Sequence, residues 1–199
     1  MKNLLTNIST IRHARTMYNA EKRYAGTIDI SLSEKGIQEA RQAASSIAKM
    51  GLKFDICVTS TMQRSIETAQ ILFGDGVQYA QSKYCNERNF GIMEGHTWEE
   101  VQKFQPPILF IRVGNDTHSV NPQGAEHFED VWQRARKFRQ FLFKNYPGKN
   151  ILVVSHGVFL QMFHGVLKGS NCIESLAFFP SSLELSSFYF SGNRLVEVK

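Results

Sequence analysis

The sequence is poor in several features that would each point to a particular class of protein. It holds no apolar run near the roughly 20 residues that a bilayer-spanning helix needs, so a membrane partner is not expected. It has only three cysteines, Cys57, Cys85 and Cys172. They are far apart, odd in number and form no C-x-x-C pair, which argues against a disulfide framework and a thiolate zinc site. Cys57 sits in an apolar, strand-like run, where a small buried hydrophobe is the expected role. No repeat, low-complexity tract or linker interrupts the 199 residues. They are read as one domain, 1–199, long enough for a sizeable core and short for two. Met1–Asn7 is too short and polar for the apolar core of a signal peptide, which sets the expectation of a cytoplasmic protein. His96, His118, His127 and His164 share no ligand spacing such as H-E-x-x-H, so no metal and no cofactor are expected.

Positive charge is in excess. The formal net charge is +5, which favours anionic partners. The densest basic stretch, Arg134, Arg136, Lys137, Arg139, Lys144 and Lys149, reads as a solvated helix face. It lacks the interleaved exposed aromatics of a base-stacking surface, so no nucleic-acid partner is expected. A small phosphorylated molecule would engage only a few of these cations. Nothing in the residues sets an oligomeric state.

Strand and helix patterns alternate, which predicts an α/β fold with a sheet covered by helices on both faces. Leu4–Ile11 reads as a first strand. Ser33–Met50 reads as a helix with Ser33 as N-cap, Ile37, Ala40, Ala44 and Ile47 on one face, and Gly51 just past its end. Phe54–Thr59 reads as a second strand. Ser60 and Gln63 have the spacing of a capping box for the next helix, as Thr97 and Glu100 do for a later, short one. Val77–Ala80 is a candidate short strand. Residues 105–123, with Pro106, Pro107 and Pro122, read as a long irregular lid. Glu126–Tyr146 is the longest predicted helix. Asn150–Ser155 is a continuously apolar strand suited to the centre of a parallel sheet. Gly157–Lys168 is a helix closed by Gly169, and Gly192-Asn193 joins a final strand pair.

In an open α/β sheet, ligands bind beyond the carboxyl ends of the strands. Arg12 and His13 follow the first strand. Arg64 lies in the first turn after the second. His156 follows the Asn150–Ser155 strand, and Glu87 lies in the loop after the short one. These side chains suit phosphoryl transfer. A neutral imidazole is a nucleophile. Two guanidiniums fit the phosphoryl oxygens and bias a neighbouring histidine toward neutrality. A second histidine, if protonated, adds a donor. A carboxylic acid can protonate the leaving alkoxide. Such a set stabilises the transferring group without a metal.

The same residues carry a family resemblance. Residues 12–19, RHARTMYN, resemble the R-H-G-x-T-x-x-N signature of the histidine phosphatase (phosphoglycerate mutase-like) superfamily. Five further stretches match in order: DISLSEKG at 29–36, STMQRSIETA at 60–69, ERNFGIMEG at 87–95, GAEHFED at 124–130 and VVSHG at 153–157. Six motifs in register span nearly the whole chain. The resemblance implies a three-layer α/β/α sandwich, mostly parallel with an antiparallel edge. It implies that His13 is the phosphorylated nucleophile and that Arg12, Arg64 and His156 hold the phosphoryl group. Glu87 would be the proton donor and later the base for water. Asn19 and the backbone N–H of Gly157 would add contacts, and Thr16 would support the loop. Departures are Ala14 for glycine, with a carbonyl still able to orient His13; Arg15, adding charge near the mouth; Ala25, removing a polar contact; and Ala125 and His127 beside Glu126.

Other roles compete for these side chains. Arg64 has Glu67 at i+3, Glu87 has Lys83 and Arg88, Glu94 is an alternative acid, and Asn19 is an alternative cap. Phosphatase activity is the first expectation. A cofactor-dependent phosphoglycerate mutase is the second, disfavoured because the Glu87–Gly124 interval is short for the mutase lid. A silent phospho-ligand-binding module is the third, disfavoured because no site residue is lost. Candidate substrates are a sugar phosphate, phosphoserine, a nucleotide and α-ribazole phosphate. Tyr18, the 17–24 segment and the 105–123 loop are expected to shape the pocket, with Trp98, Phe104, Phe110 and Ile111 as its apolar side.

Overall fold

A computed structural model describes residues 5–120 and 122–199. The chain runs β1 (Leu5–Arg12), α1 (Met17–Ala20), α2 (Glu34–Lys49), β2 (Ile56–Thr59), α3 (Gln63–Phe73), β3 (Gln78–Gln81), α4 (Trp98–Val101), β4 (Phe110–Val113) and β5 (Asp116–Ser119). It continues through α5 (Phe128–Asn145), β6 (Asn150–Ser155), α6 (Gly157–Lys168), α7 (Cys172–Ser175), β7 (Leu185–Ser191) and β8 (Arg194–Val198). The main sheet has the order β3-β2-β6-β1-β7-β8. β3, β2, β6 and β1 are mutually parallel, and β7 is antiparallel to β1 and to β8. The predicted three-layer α/β/α sandwich with an antiparallel edge is the architecture observed.

Alternation along the strands divides the core into two layers. Ile8, Ile56, Val58, Ile151, Val153 and Phe188 face α5 and α6, where Val131, Phe138, Leu142, Phe159 and Phe163 complete one cluster. Ile11, Cys57, Leu152 and Val154 face α2 and α3, meeting Ile47, Ala69 and Leu72. β6 is buried on both faces, as its unbroken Ile-Leu-Val-Val run requires.

The predicted elements recur with instructive shifts. Ser33 caps α2 through the Gly36 N–H, and Thr97 and Glu100 form their capping box. The capping box expected of Ser60 and Gln63 is absent. Met62 occupies the N-cap, Asp29 Oδ1 accepts the Gln63 N–H at 2.8 Å, and Ser60 is committed elsewhere. α5 begins at Phe128 rather than Glu126, because His127 takes the N-cap. Residues 105–123 are not an irregular lid. They contain the two-stranded β4–β5 hairpin, which turns at Gly114-Asn115. Leu4, the expected start of β1, lies outside the described residues. No helix among the described residues is long and apolar enough to cross a membrane.

His164 is buried in α6, with Nε2 2.7 Å from Thr10 Oγ1. Burial, then Lys168, lowers its pKa to about 3. Above the unfolded value, about 6.5, this group leaves stability untouched. As pH falls below that value, the unfolded chain takes up a proton that the folded one refuses, and stability is lost at up to about 1.4 kcal/mol per pH unit. His164→Gln should flatten the slope of unfolding free energy between pH 6 and 5 by about that amount. Denaturant titrations at each pH measure it, and an unchanged slope would contradict the assignment.

Candidate active site

Strand register builds the site. Arg12 of β1 pairs with Ser155 of β6, and Thr59 of β2 pairs with Val154. The ladders continue one step, with the His13 N–H donating to the Ser155 carbonyl at 2.9 Å and the Ser60 N–H to the Val154 carbonyl at 3.2 Å. His13, Ser60 and His156 therefore leave three adjacent strands at one edge of the sheet, where α/β folds bind ligands. The His13 and His156 ring centroids are 5.1 Å apart.

His13 is 5% exposed. Its Nδ1 lies 2.7 Å from the Ala14 carbonyl oxygen. A carbonyl only accepts, so Nδ1 carries the proton and Nε2 keeps its lone pair in the neutral ring. Burial pushes the imidazole well below its usual pKa, Arg64 and Arg12 add to this, and the Ala14 carbonyl opposes it. Ala14 is held by the Thr68 hydroxyl, which accepts its N–H at 3.0 Å and donates to the Arg64 carbonyl at 2.6 Å. The expectation that a carbonyl at position 14 orients the ring despite the missing glycine agrees with this geometry.

In the ligand-free site His156 lacks the second ring proton on which its role as an added donor was conditional. It is fully buried, and burial, then Arg64, His13 and Arg12, drive its pKa well down. Arg64 Nε donates to its Nδ1 at 3.2 Å, so the ring proton sits on Nε2, 2.7 Å from Ser60 Oγ.

Arg64 is 1% exposed. It ignores Glu67, which instead accepts the Leu32 N–H. Its Nη1 and Nη2 donate to the carbonyls of Ile28 and Gly26 at 2.9 and 2.8 Å. Gly26 has φ +50°, and a Cβ there would collide with the Glu94 carboxylate. Arg12 donates to the Pro180 carbonyl at 3.1 Å and lies 4.9 Å over the Phe179 ring. Its Nε is buried without a partner among the described residues. Phe179 packs so closely on Gly157, the first residue of α6, that any side chain there would clash. Asn19 lines the same cleft, but its Oδ1 accepts the Thr16 N–H in the α1 capping box, so capping and cleft lining coexist.

Glu87 completes the set from the loop after β3. Its carboxylate accepts the N–H groups of Arg88, Phe159 and Val158 at 2.8, 3.0 and 3.2 Å, which anchors it at the start of α6. Glu94, the alternative acid, is turned onto Thr27 and the Phe90 N–H. Arg134 grips the Glu87 loop from behind. It forms a two-pronged pair with Glu126 at 2.9 and 2.8 Å and donates to the carbonyls of Tyr84 and Asn86 at 2.8 and 2.7 Å. Arg134 is therefore no part of a solvated helix face. Arg88 is 1% exposed and joins the same brace, donating to the Glu126 carbonyl and to Ser119 Oγ and carbonyl oxygen.

Arg12, His13, Asn19, Arg64 and Glu87 share one cleft of about 240 Å³. Its apolar walls are Phe90, Phe128, Val158 and Phe179. Trp98, Phe104, Phe110 and Ile111 are not among them: Trp98 packs on Phe110 and Phe104 on His96. Tyr18 also stays outside, and Arg15 points away to Glu39 at 3.8 Å rather than to the mouth. Ser60, Arg88 and His118 are among the lining or supporting residues that escaped the sequence. Ser60 was obscured by its capping-box spacing, Arg88 by its charge beside Glu87, and His118 by a hairpin whose Gly114-Asn115 turn signal was legible. No group of three or more side chains able to hold a metal occurs among the described residues. Burial raises the thiols of Cys57 and Cys172 to about 12 and 11 and pushes Cys85 up as well, which leaves all three inert near neutrality.

Comparison with known proteins places this geometry in context. A family profile described as "Histidine phosphatase superfamily (branch 1)" matches residues 8–198. A 2,3-bisphosphoglycerate-dependent phosphoglycerate mutase of Rhizobium etli is 28% identical over 161 residues, covering 77% of this chain and 76% of that protein. The phosphoserine phosphatase of Entamoeba histolytica, solved with 3-phosphoglyceric acid, superposes with TM-score 0.76 and 25% identity over 96% of this chain and 94% of that one. The alpha-ribazole phosphatase of Shigella flexneri, at 21% identity, shares the fold with TM-score 0.79 over 95% and 93% of the two chains.

The brace on the Glu87 loop is open to test. Arg134→Met leaves Glu126 and two carbonyls without their cation and should destabilise the protein by about 2–4 kcal/mol, a part-buried pair with one partner removed. Urea denaturation measures it, and a loss within about 0.5 kcal/mol, typical of a surface change, would contradict the assigned role.

Proposed function

The chain belongs to the histidine phosphatase superfamily, and on that premise we propose that it hydrolyses small phosphomonoesters, without a metal, through a phosphohistidine on His13. One observation carries the reading. The His13–Ala14 hydrogen bond leaves Nε2 unprotonated inside a cleft that also holds Arg12 and Arg64. The roles then follow from position. His13 Nε2 attacks phosphorus and the P–O bond to the alcohol breaks. Arg12 and Arg64 meet the charge on the phosphoryl oxygens. Glu87 gives a proton to the departing oxygen. In the second step water attacks phosphorus, the P–N bond to His13 breaks, Glu87 takes the water's proton, and phosphate leaves. His156, neutral in the empty site, holds the Arg64 side chain and gains basicity when a phosphoryl dianion arrives, because an opposite charge favours imidazolium. The Asn19 amide N–H₂, without a hydrogen-bond acceptor among the described residues, is available to the phosphoryl group, and the Gly157 N–H opens a helix whose first turn favours anions.

Hydrolysis is favoured over mutase chemistry because the interval from Glu87 to Gly124 is short and its described residues hold only brief helical turns, α4 among them, and the β4–β5 hairpin. The mutase reading is supported by several similar relatives that are phosphoglycerate mutases, the Rhizobium etli protein among them. It uses the same phosphohistidine but returns the phosphoryl group to the sugar acid.

Phosphate release from p-nitrophenyl phosphate and alkyl phosphates in EDTA tests the proposal. His13→Ala should lower kcat by at least about 10³-fold. Glu87→Ala should cost about 10²-fold on alkyl phosphates and much less on p-nitrophenyl phosphate, whose leaving group needs no proton. Interconversion of 3- and 2-phosphoglycerate faster than phosphate release would select the mutase instead. A folded wild-type protein that does neither would leave the binding module.

A further inference from the structure

Backbone carbonyls, not a carboxylate, aim the Arg64 guanidinium. Its Nη1 and Nη2 donate to the Ile28 and Gly26 carbonyls, and its Nε donates to His156 Nδ1. Among the described residues these bonds take three of its five N–H groups, which leaves one on each Nη for phosphoryl oxygens. The direction of both therefore depends on where the turn at 25–28 lies.

Glu94, in the loop between β3 and α4, holds that turn. Its Oε1 accepts the Thr27 N–H at 2.8 Å and the Phe90 N–H at 3.0 Å, and its Oε2 accepts the Thr27 hydroxyl at 2.7 Å. Gly26 packs so tightly on this carboxylate that any side chain there would collide with it. Backbone bonds join the same two segments nearby. The Tyr24 carbonyl accepts the Gly95 N–H at 2.8 Å, and the His96 carbonyl accepts the Tyr24 N–H at 3.0 Å. Glu94 itself does not line the cleft, whereas Gly26, Arg64 and Phe90 do. One carboxylate thus ties the turn that aims Arg64 to the loop that carries Glu87.

We infer that Glu94 is a positioning residue for Arg64: it fixes the Gly26 and Ile28 carbonyls, and through them the two Nη groups that meet the phosphoryl oxygens. The inference rests on the phosphatase reading above and gives Glu94 no part in proton transfer. Glu94→Gln separates the two roles. The amide oxygen can accept both N–H groups and the amide nitrogen can donate to the Thr27 hydroxyl, so the clasp survives, but an amide is no general acid.

The test measures kcat/KM on p-nitrophenyl phosphate and n-propyl phosphate, and the dissociation constant of orthovanadate by calorimetry. It compares wild type, Glu94→Ala, Glu94→Gln and Thr27→Val. Calorimetric stoichiometry corrects for unfolded protein, so the constant reports the site rather than the fold. Glu94→Ala should weaken orthovanadate binding by about 10- to 100-fold and lower kcat/KM on both esters by a similar factor, as expected of a misplaced binding group. Glu94→Gln should stay within about threefold of wild type on every measure, and Thr27→Val, an exposed change that removes one of the three donors, should weaken orthovanadate about threefold. Should Glu94→Ala fail to fold, Thr27→Val decides. Orthovanadate binding unchanged in Glu94→Ala and Thr27→Val overturns the inference, as does damage in Glu94→Gln equal to that in Glu94→Ala. A loss confined to n-propyl phosphate also overturns it, because that is the mark of an acid. If the wild type binds orthovanadate but hydrolyses neither ester, the phosphatase reading fails while the binding constants still decide the role of Glu94. A folded wild type that does neither overturns both.

Discussion

A single 2.7 Å hydrogen bond, from His13 Nδ1 to the carbonyl of the next residue, decides which nitrogen faces the cleft. The rest of the site is arranged around keeping that carbonyl still. The Ala14 N–H is tied to Thr68, and the His13 carbonyl accepts the Ser182 hydroxyl at 2.6 Å. The Arg15 carbonyl accepts the Ser33 N–H at 3.0 Å, at the start of α2. A three-residue stretch is thereby fixed to α2, α3 and the segment before β7. The glycine usual at position 14 is dispensable because the bond uses backbone, not side chain.

Charge supplies the second constraint. Two guanidiniums are drawn into a largely buried site, and burial pulls down the pKa of both. Glu87 is the carboxylate that counters them most strongly, and both histidines stay neutral because burial disfavours the charged ring and the guanidiniums repel a further cation. The result is a site with positive charge in excess of negative, already oriented before a ligand enters. Preorganised dipoles and charges of this kind act without reorganising as an anionic transition state forms.

Much of this was legible in the sequence because it is local or periodic. The Ile-Leu-Val-Val run announced β6, Ser33 announced α2, and the strand-end positions of Arg12, His13, Arg64 and His156 followed from α/β topology. What escaped depends on contacts between segments distant in sequence. Arg134 reads as one more helix-face cation, since its carbonyl partners lie roughly fifty residues earlier. The hairpin strands β4 and β5 are four residues each and mostly part-exposed, so they lack the apolar alternation that marks a strand. The neutrality of His156 follows from burial and from Arg64, neither of which a strand-end position reveals. The apolar wall was assigned to the wrong aromatics because Phe90, Phe128 and Phe179 come from three unrelated segments.

The tautomer and charge of His13 are the centre of this account, and long-range ¹H–¹⁵N NMR of the imidazoles reads both directly. Across a titration from pH 8 to 5, without ligand, the His13 ring should show the Nδ1-protonated neutral pattern throughout, because burial and two arginines hold its pKa well below the usual value. His156 should likewise stay neutral, with its proton on Nε2. A His13 ring that gains a second proton near pH 6.5, or that carries its neutral proton on Nε2, would contradict the account, since the attacking lone pair would then be missing from the cleft.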